Sequence, residues 1–414
     1  MKYLYIPFCL FFISTIAFSQ GKSYVVLMKE SFEAPVRKAR IDNENRESQE
    51  RANKFNRDRK LNRVNEFARE KGLSVPPKKQ FADAGVGFIA VLSEAQVLEL
   101  GQDPEVQGVF EDFTMQTRAR MQTRARMQGE PATAEDIYNP VIKASAAITH
   151  LGGSQKYSGR KSSIWIVDSG VDSRHIDLNV SKSQKLTASF VDGDENPLVD
   201  YVGHGTHCAG LAAGKGSGIP GVTGMSAGAE IIPIKVLDKN GEGSWSQLIL
   251  ALDHIEKFGQ SGDVVLMSLG TEILDNCTNS DPMLSELILD LGAKGLFVVM
   301  SAGNVDNQTS SNQSSQNFPG CINGPNVFTI GSYAFDYNGF TAFSPYGKLG
   351  IPSVDWMAPG ENVFSTFPGN QYATMSGTSM AAALVAGLIH SKGGIPSAIR
   401  NESFNGVIYP FAGR

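Results

Sequence analysis

Three short stretches of the chain hold residue types that together perform acyl transfer. Gly377-Thr378-Ser379-Met380-Ala381-Ala382-Ala383 presents a serine between a glycine turn and the start of an alanine-rich helix. A serine hydroxyl is a poor nucleophile alone; it needs a base within hydrogen-bond reach and a third group to orient that base. Upstream, Ile164-Trp165-Ile166-Val167-Asp168-Ser169-Gly170 reads as a buried apolar strand ending in a carboxylate. His204-Gly205-Thr206-His207-Cys208-Ala209-Gly210 reads as a small-residue helix start that carries imidazole. A carboxylate at the end of an apolar run persists only with a partner, so Asp168 is the candidate support for a histidine base and Ser379 the candidate nucleophile.

The elements that must hold these groups follow from the pattern downstream of Ile164. Apolar strands over 163–167, 230–236, 264–268, 295–300 and 327–331 alternate with helical stretches over 244–258 and 283–294. Continuous apolar strands alternating with helices imply an α/β fold, a parallel sheet covered by helices on both faces. Catalytic groups in such sheets sit at strand ends and in the loops that follow, where Asp168 and Asn304 both fall.

In the order Asp, His, Ser, these segments resemble the signatures of the subtilisin family of serine proteases. Ser301-Ala302-Gly303-Asn304 resembles the stretch that holds the family's oxyanion-hole asparagine. The resemblance covers roughly Val141 to Gly394 and implies a serine endopeptidase on a subtilisin-like fold. It assigns Asp168, His204 and Ser379 to the triad, and Asn304 with the backbone N–H of Ser379 to the oxyanion hole. The match places the base at the first histidine, His204, where Gly203 and Gly205 leave room for a substrate; His207 packs one turn behind it. His150, His175, His254 and His390 carry no motif.

Lys239-Asn240-Gly241-Glu242-Gly243 and Ser268-Leu269-Gly270 resemble the family's two edges between which an extended peptide is held as an added strand. Gly241, Gly243, Ser268, Leu269 and Gly270 are therefore the substrate-binding candidates, and protein or peptide chains the expected substrates. Trp245 either walls a distal subsite or fills core. Two features depart from the family: Ala383-Leu384 stand where it usually has proline then histidine, and the stretch after Ser379 is short. They support an alternative reading, a catalytically impaired homologue that binds peptides, against which the intact triad argues.

The chain has 414 residues, 41% of them hydrophobic, and a formal net charge of -5. That balance lacks the basic footprint of a nucleic-acid binder. Met1–Gln20 has the single Lys2, an apolar run and small residues, the layout of a secretory signal peptide, with a run shorter than the ~20 residues of a membrane span. The expected product is secreted, extracellular or periplasmic, and free of the membrane once the signal is removed. Of the four cysteines, Cys9 leaves with the signal. Cys208 on a buried helix is the expected free thiol, and Cys277 and Cys321 either pair or pack as two buried thiols.

Between signal and enzyme, strands over 23–28, 79–81, 87–92 and 106–113 bracket a long basic helix within 34–71 and a shorter one from the N-cap Ser93 to Leu100. On the long helix Phe55, Leu61, Val64 and Phe67 recur at helical spacing. This β-α-β-β-α-β order reads as a small α+β ferredoxin-like domain. It resembles the family's inhibitory propeptide, an intramolecular inhibitor whose C-terminal tail would lie in the substrate cleft. The expected boundaries are 1–20 for the signal peptide, 21–114 for the propeptide, 115–135 for a linker and 136–414 for the catalytic domain. The linker carries a direct repeat, Met115–Arg120 and Met121–Arg126, both MQTRAR; it reads as flexible and exposed, and as the site of the maturation cut. Subtilisin-like proteases commonly hold structural calcium, though the chemistry requires no cofactor or metal. Asp192, Asp194 and Glu195 form an acidic loop that either binds such an ion or is simply solvated.

Overall fold

The structure, a computed structural model, describes residues 21–29, 46–117, 120–121, 137–159, 161–194, 196–272, 277, 282–304, 317–334, 341, 343–345, 354–404 and 406–414. The expected signal peptide 1–20, Glu195 and most of the repeat lie outside these residues.

β1 (Lys22–Met28), α1 (Arg46–Glu70), β2 (Gln80–Phe81), β3 (Gly87–Leu92), α2 (Glu94–Gly101) and β4 (Val106–Glu111) follow one another. They form a four-stranded antiparallel sheet in the order β2-β3-β1-β4. Side chains alternate between the faces of a strand, and here both faces are apolar. Val26, Met28 and Phe88 pack with Val64 and Phe67 of α1 and Leu100 of α2. Val25, Leu27, Phe81 and Ile89 point the other way, into a core shared with Trp245, Leu248 and Met283. The N-terminal sheet is thus roofed by its own helices on one side and by the rest of the protein on the other. Phe55, expected on the apolar face of α1, is 67% exposed, because the buried stripe of that helix begins only at Val64. Ser93 caps α2 through a reciprocal capping box with Gln96.

Two short strands follow, β5 (Thr114–Gln116) and β6 (Arg120–Met121). The chain then runs through β7 (Ile164–Asp168), β8 (Ala188–Ser189), α3 (His204–Ala213), β9 (Ile231–Lys235), β10 (Glu242–Ser244), α4 (Trp245–Phe258) and β11 (Val264–Met267). After these come α5 (Pro282–Ala293), β12 (Phe297–Ser301), β13 (Val327–Tyr333), β14 (Trp356–Pro359), β15 (Val363–Phe367), β16 (Gln371–Ser376), α6 (Thr378–Lys392), β17 (Ser397–Phe404) and β18 (Val407–Gly413). A nine-stranded sheet has the order β8-β9-β7-β11-β12-β13-β14-β18-β17. Every neighbouring pair is parallel except β17 with β18.

The central strand β7 has both faces covered, which is why it reads as a continuous apolar run. Ile164 and Ile166 meet Cys208 and Ala212 of α3 and Leu384 of α6, while Trp165 and Val167 meet Leu248 of α4 and Leu284 of α5. In the short stretch after Ser379, β17 and β18 pair antiparallel and extend the sheet. Val407, Tyr409 and Phe411 alternate inward and are buried, a two-residue period that holds the strand against β14. Cys277 and Cys321 form a disulfide, and Cys208 is a buried free thiol.

Candidate active site

Asp168 is the last residue of β7 and His204 the first of α3. The ring Nδ1 of His204 lies 2.8 Å from Asp168 Oδ2 and 2.9 Å from Oδ1. Nδ1–H is therefore the donor to the carboxylate, and Nε2 is left with its lone pair, the form a general base requires. Nε2 is buried and has no hydrogen-bond partner among the described residues. Burial disfavours a charged ring here, but the charge and hydrogen bond of Asp168, with Asp200 behind it, outweigh burial and hold the His204 pKa above its ordinary value.

Asp200 carried no motif. Its carboxylate, itself pushed toward protonation by burial, accepts from Ser169 Oγ at 2.9 Å, Gly203 N at 2.8 Å, Thr206 N at 2.9 Å and Thr206 Oγ1 at 2.7 Å. It closes the first turn of α3 and ties that turn to the Asp168–Ser169 corner, so both ends of the Asp168–His204 pair share one anchor. The signal that points to it is the ordinary one of an aspartate ahead of a helix start. The flanking glycines serve packing rather than substrate entry, which corrects the expectation. Gly203 has φ 89 and a Cβ there would meet the Phe367 ring at 2.1 Å; a Cβ on Gly205 would meet Gly170 O at 2.1 Å. His207 lies behind the pair as expected. Its Nε2 is shared by the carbonyls of Val363 and Ala373, and burial, with His204 close by, lowers its pKa to about 3.

Ser379 is the second residue of α6, so its backbone N–H belongs to the open first turn. Its Oγ lies 3.4 Å from Ser268 O, and no hydrogen bond to His204 is present. Asn304 follows β12; its Oδ1 accepts from Thr378 N at 2.9 Å and Thr378 Oγ1 at 3.3 Å. With the carbonyl end so held, the NH₂ end is the one free to donate into the small depression beside Ser379. Gln116, Ser268, Gly270, Gly303, Asn304 and Asn317 line that depression. Asn317 was missed by the sequence reading; its Nδ2 is buried and unpartnered among the described residues.

The two expected substrate edges, Gly241–Gly243 and Ser268–Gly270, hold a strand between them, and it is the chain's own. β5 pairs antiparallel with β10, with Met115 opposite Gly243. On the other side Gln116 N donates to Gly270 O at 3.1 Å and Gly270 N to Gln116 O at 3.3 Å. Thr117 N donates to Gly241 O at 3.1 Å, and Gly241, with φ 78, would bring a Cβ within 3.0 Å of the Thr117 side chain. Met115 is buried against the same core as Leu269 and Trp245, so Trp245 belongs both to the core and to the wall of this subsite. Leu269 supplies packing and backbone, Ser268 and Gly270 backbone. Further on, β6 pairs antiparallel with β16, Arg120 opposite Ser376 and Met121 opposite Met375. The described parts of the expected flexible linker are thus two strands, because the cleft edges offer unpaired N–H and C=O groups that a chain in that position satisfies.

Two carboxylates seat the N-terminal sheet. Asp253 on α4 accepts the backbone N–H of Ala82, Asp83 and Ala84 at 3.0, 2.5 and 2.8 Å and meets Arg57 at 3.2 Å. Asp112 accepts from Ser246 N at 2.9 Å and Ser246 Oγ at 2.7 Å in the first turn of α4, where an acid is favoured by the helix dipole. In the acidic loop Asp192 pairs with Lys78 and Lys79, and Asp194 with the buried Lys235. Its two described acids are thereby matched by ammonium groups. Among the described residues the one group of potential metal ligands is Asp168, His204 and Cys208, the hydrogen-bonded pair with a buried thiol. No helix among the described residues is long and apolar enough to cross a membrane.

The subtilase family (Peptidase_S8) matches residues 159–391. Subtilisin amylosacchariticus of Bacillus subtilis subsp. amylosacchariticus is 33% identical over 318 residues, 77% of this chain and 72% of its own length. Thermitase of Thermoactinomyces vulgaris is 35% identical over 247 residues, 58% of this chain and 79% of its own. Among solved structures, that of a cold adapted subtilisin-like serine proteinase is similar with a TM-score of 0.46 and 27% identity, over 56% of this chain and 76% of that one. The family match spans the segment that holds Asp168, His204, Asn304 and Ser379, and the chain belongs to the subtilase family as a subtilisin-like serine endopeptidase.

Proposed function

We propose that the protein is a secreted endopeptidase made as a zymogen, with residues 1–20 a signal peptide, 21–114 a ferredoxin-like inhibitory propeptide, 115–135 the processed linker and 136–414 the enzyme. Ser379 attacks the carbonyl carbon of an extended polypeptide, and His204 Nε2 takes the hydroxyl proton and returns it to the leaving amine. Asp168 holds the imidazole tautomer and stabilises the imidazolium. Asn304 and the Ser379 N–H stabilise the tetrahedral oxyanion, each such donor being worth roughly 10²–10³ in rate. Main-chain bonds to Gly241, Gly243, Ser268 and Gly270 hold the substrate. For attack the Ser379 hydroxyl must exchange Ser268 O for His204 Nε2 as its acceptor.

The observation that carries the zymogen reading is the strand Thr114–Gln116 between the two substrate edges, with both main-chain bonds to Gly270 made. A chain so bound excludes any other peptide. The test is the intact mass of the protein beside Ser379→Ala. Loss of the N-terminal part in the wild type alone, with a serine-directed phosphonate labelling Ser379, is the expected result; cleavage of both chains to the same product would assign processing to another protease.

A further inference from the structure

The sequence repeats across the occupied cleft in a way the zymogen reading does not require. Met115–Gln122 reads MQTRARMQ, and Met121–Gln128 reads MQTRARMQ again. Apart from Thr114, which stands opposite Ser244, the first window contains the described residues that pair with the cleft: Met115 opposite Gly243, Gln116 opposite Gly270, Arg120 opposite Ser376 and Met121 opposite Met375. Two residues before Gly270 stands Ser268, whose carbonyl oxygen is 3.4 Å from Ser379 Oγ, and two residues after Gln116 in the sequence stands Arg118; an antiparallel register carried on by that step would bring these two together. The bond that register offers to Ser379 is Arg118–Ala119. Moved by one repeat, the second window offers the same side chains and the same main-chain groups, with Arg124–Ala125 in that place.

We propose that the cleft is used twice: Arg118–Ala119 is cut first, and Arg124–Ala125 is cut after the N-terminal fragment leaves, trimming the new terminus by one repeat. This rests on the zymogen reading above. In each cut the acyl group passes to Ser379, the amine of Ala119 or Ala125 leaves with the proton from His204, and water then releases the Arg118 or Arg124 carboxylate.

The order follows from what anchors each side. Upstream, Asp112 is bonded to Ser246, and Phe113 O accepts from Trp245 N at 2.9 Å. With the N-terminal sheet docked there is no free chain between Phe113 and Met115, so the first window is the one loaded. Downstream, the number of residues in the chain permits a shift. The ring of Tyr138 packs at a tilt against that of Phe364, with centroids 4.8 Å apart; Phe364 pairs with Thr374, the neighbour of Met375, which pairs with Met121. Strands spaced ~4.8 Å apart put the two anchored points on the order of 20 Å from each other. After a shift of one repeat, the chain from residue 127 to residue 137 still reaches roughly 33 Å, enough to close that gap. Once the first cut and dissociation of the fragment free the upstream side, the hold among the described residues that the shift must break is the short pairing of Arg120 and Met121 with β16.

The test follows the full-length chain by intact mass and N-terminal sequencing over time, beside a variant lacking Met121–Arg126, in which MQTRARMQ is restored once, and beside Gln122→Pro. Proline lacks the N–H by which the residue in this register donates to Gly270 O. The wild type is expected to pass through a species beginning at Ala119 and to end at Ala125. The deletion variant should give one terminus only, and Gln122→Pro should slow the second step about tenfold or more, as loss of one such bond costs about 1.4 kcal/mol. A wild type that hydrolyses casein after its N-terminal fragment has dissociated, yet keeps Ala119 as its terminus, overturns the proposal, as does a first cut at Arg124–Ala125. A chain that takes the phosphonate label but is cut at neither bond overturns it while leaving the protease reading intact. A chain that neither labels nor hydrolyses casein overturns both.

Discussion

Gln116 and Gly270 exchange both of their main-chain hydrogen bonds, at 3.1 and 3.3 Å, so the edge that would recognise a substrate is saturated from within. Release of the segment should therefore limit the appearance of activity. The strongest polar hold on the N-terminal sheet is Asp253, which receives three backbone N–H groups and Arg57. Asp253→Ala leaves those donors unpaired, at a cost of roughly 2–5 kcal/mol to the association. The lag between the mass change of the first cut and full peptidase activity is expected to shorten by an order of magnitude or more, with kcat of the released enzyme unchanged. An unaltered lag would mean that the apolar face of the sheet alone sets the release.

The roles within the site separate by magnitude. Ser379→Ala and His204→Ala should each lower kcat by about 10⁶, and Asp168→Asn by about 10⁴, since geometry survives but the tautomer does not. Asn304→Ala should lower kcat by about 10²–10³ with KM little changed, because its donor acts on the oxyanion and not on the bound carbonyl. Steady-state kinetics on a peptide amide, with enzyme concentration set by phosphonate titration, measures all four. A rise in KM alone at Asn304 would move that residue from catalysis to binding.

The acid side of the pH profile reports His204. The ring must be neutral to accept the proton of Ser379, and Asp168 with Asp200 holds its pKa above 6.5 despite burial. Activity is thus full above the raised value and falls as pH drops through it. The acid limb of kcat/KM, which reads the free enzyme, should lie above pH 6.5. Asp200→Asn keeps an oxygen for the helix turn and removes one negative charge, so it should move the limb to lower pH.

Stability has a separate pH dependence at Asp355. Burial raises its carboxyl to about 6, while Thr329 N donates to it at 2.7 Å. The folded state then holds a proton more tightly than the unfolded one, so the contribution is fully present below 3.8 and lost as pH rises through about 6. Asp355→Asn keeps an acceptor for Thr329 and should stabilise the protein above that range by roughly 1–3 kcal/mol, at about 1.4 kcal/mol per pKa unit. Denaturant unfolding in the Ser379→Ala background at pH 8 and pH 4 tests it; equal gains at both would assign the effect to packing.

What was legible from residues alone was local. Asp168, His204, Asn304 and Ser379 each sit where a strand ends or a helix begins, and each is announced by its neighbours in the chain. Asp253 was not legible, because its role exists only when the Ala82–Ala84 turn arrives from far away in sequence. The same holds for Met115–Gln116, whose strand is made by pairing with Gly243 and Gly270 rather than by any apolar period of its own. Tyr409 and Phe411 do alternate inward, but Pro410 between them argues against a strand, and only the register against β17 overrides that signal.

The bridge between Cys277 and Cys321 closes a ring of chain that contains α5, β12, Asn304 and Asn317. Asn304, the proposed oxyanion donor, is therefore carried on a covalently closed segment whose unfolded form is restricted, a constraint worth roughly 3–4 kcal/mol for a loop of this size. That contribution depends on the surroundings, being kept in an oxidising compartment and forfeited in a reducing one. The working lifetime of the enzyme is thus set by thiol chemistry outside its own cleft. Added dithiothreitol should leave the first turnovers at their usual rate and hasten the loss of activity on warming.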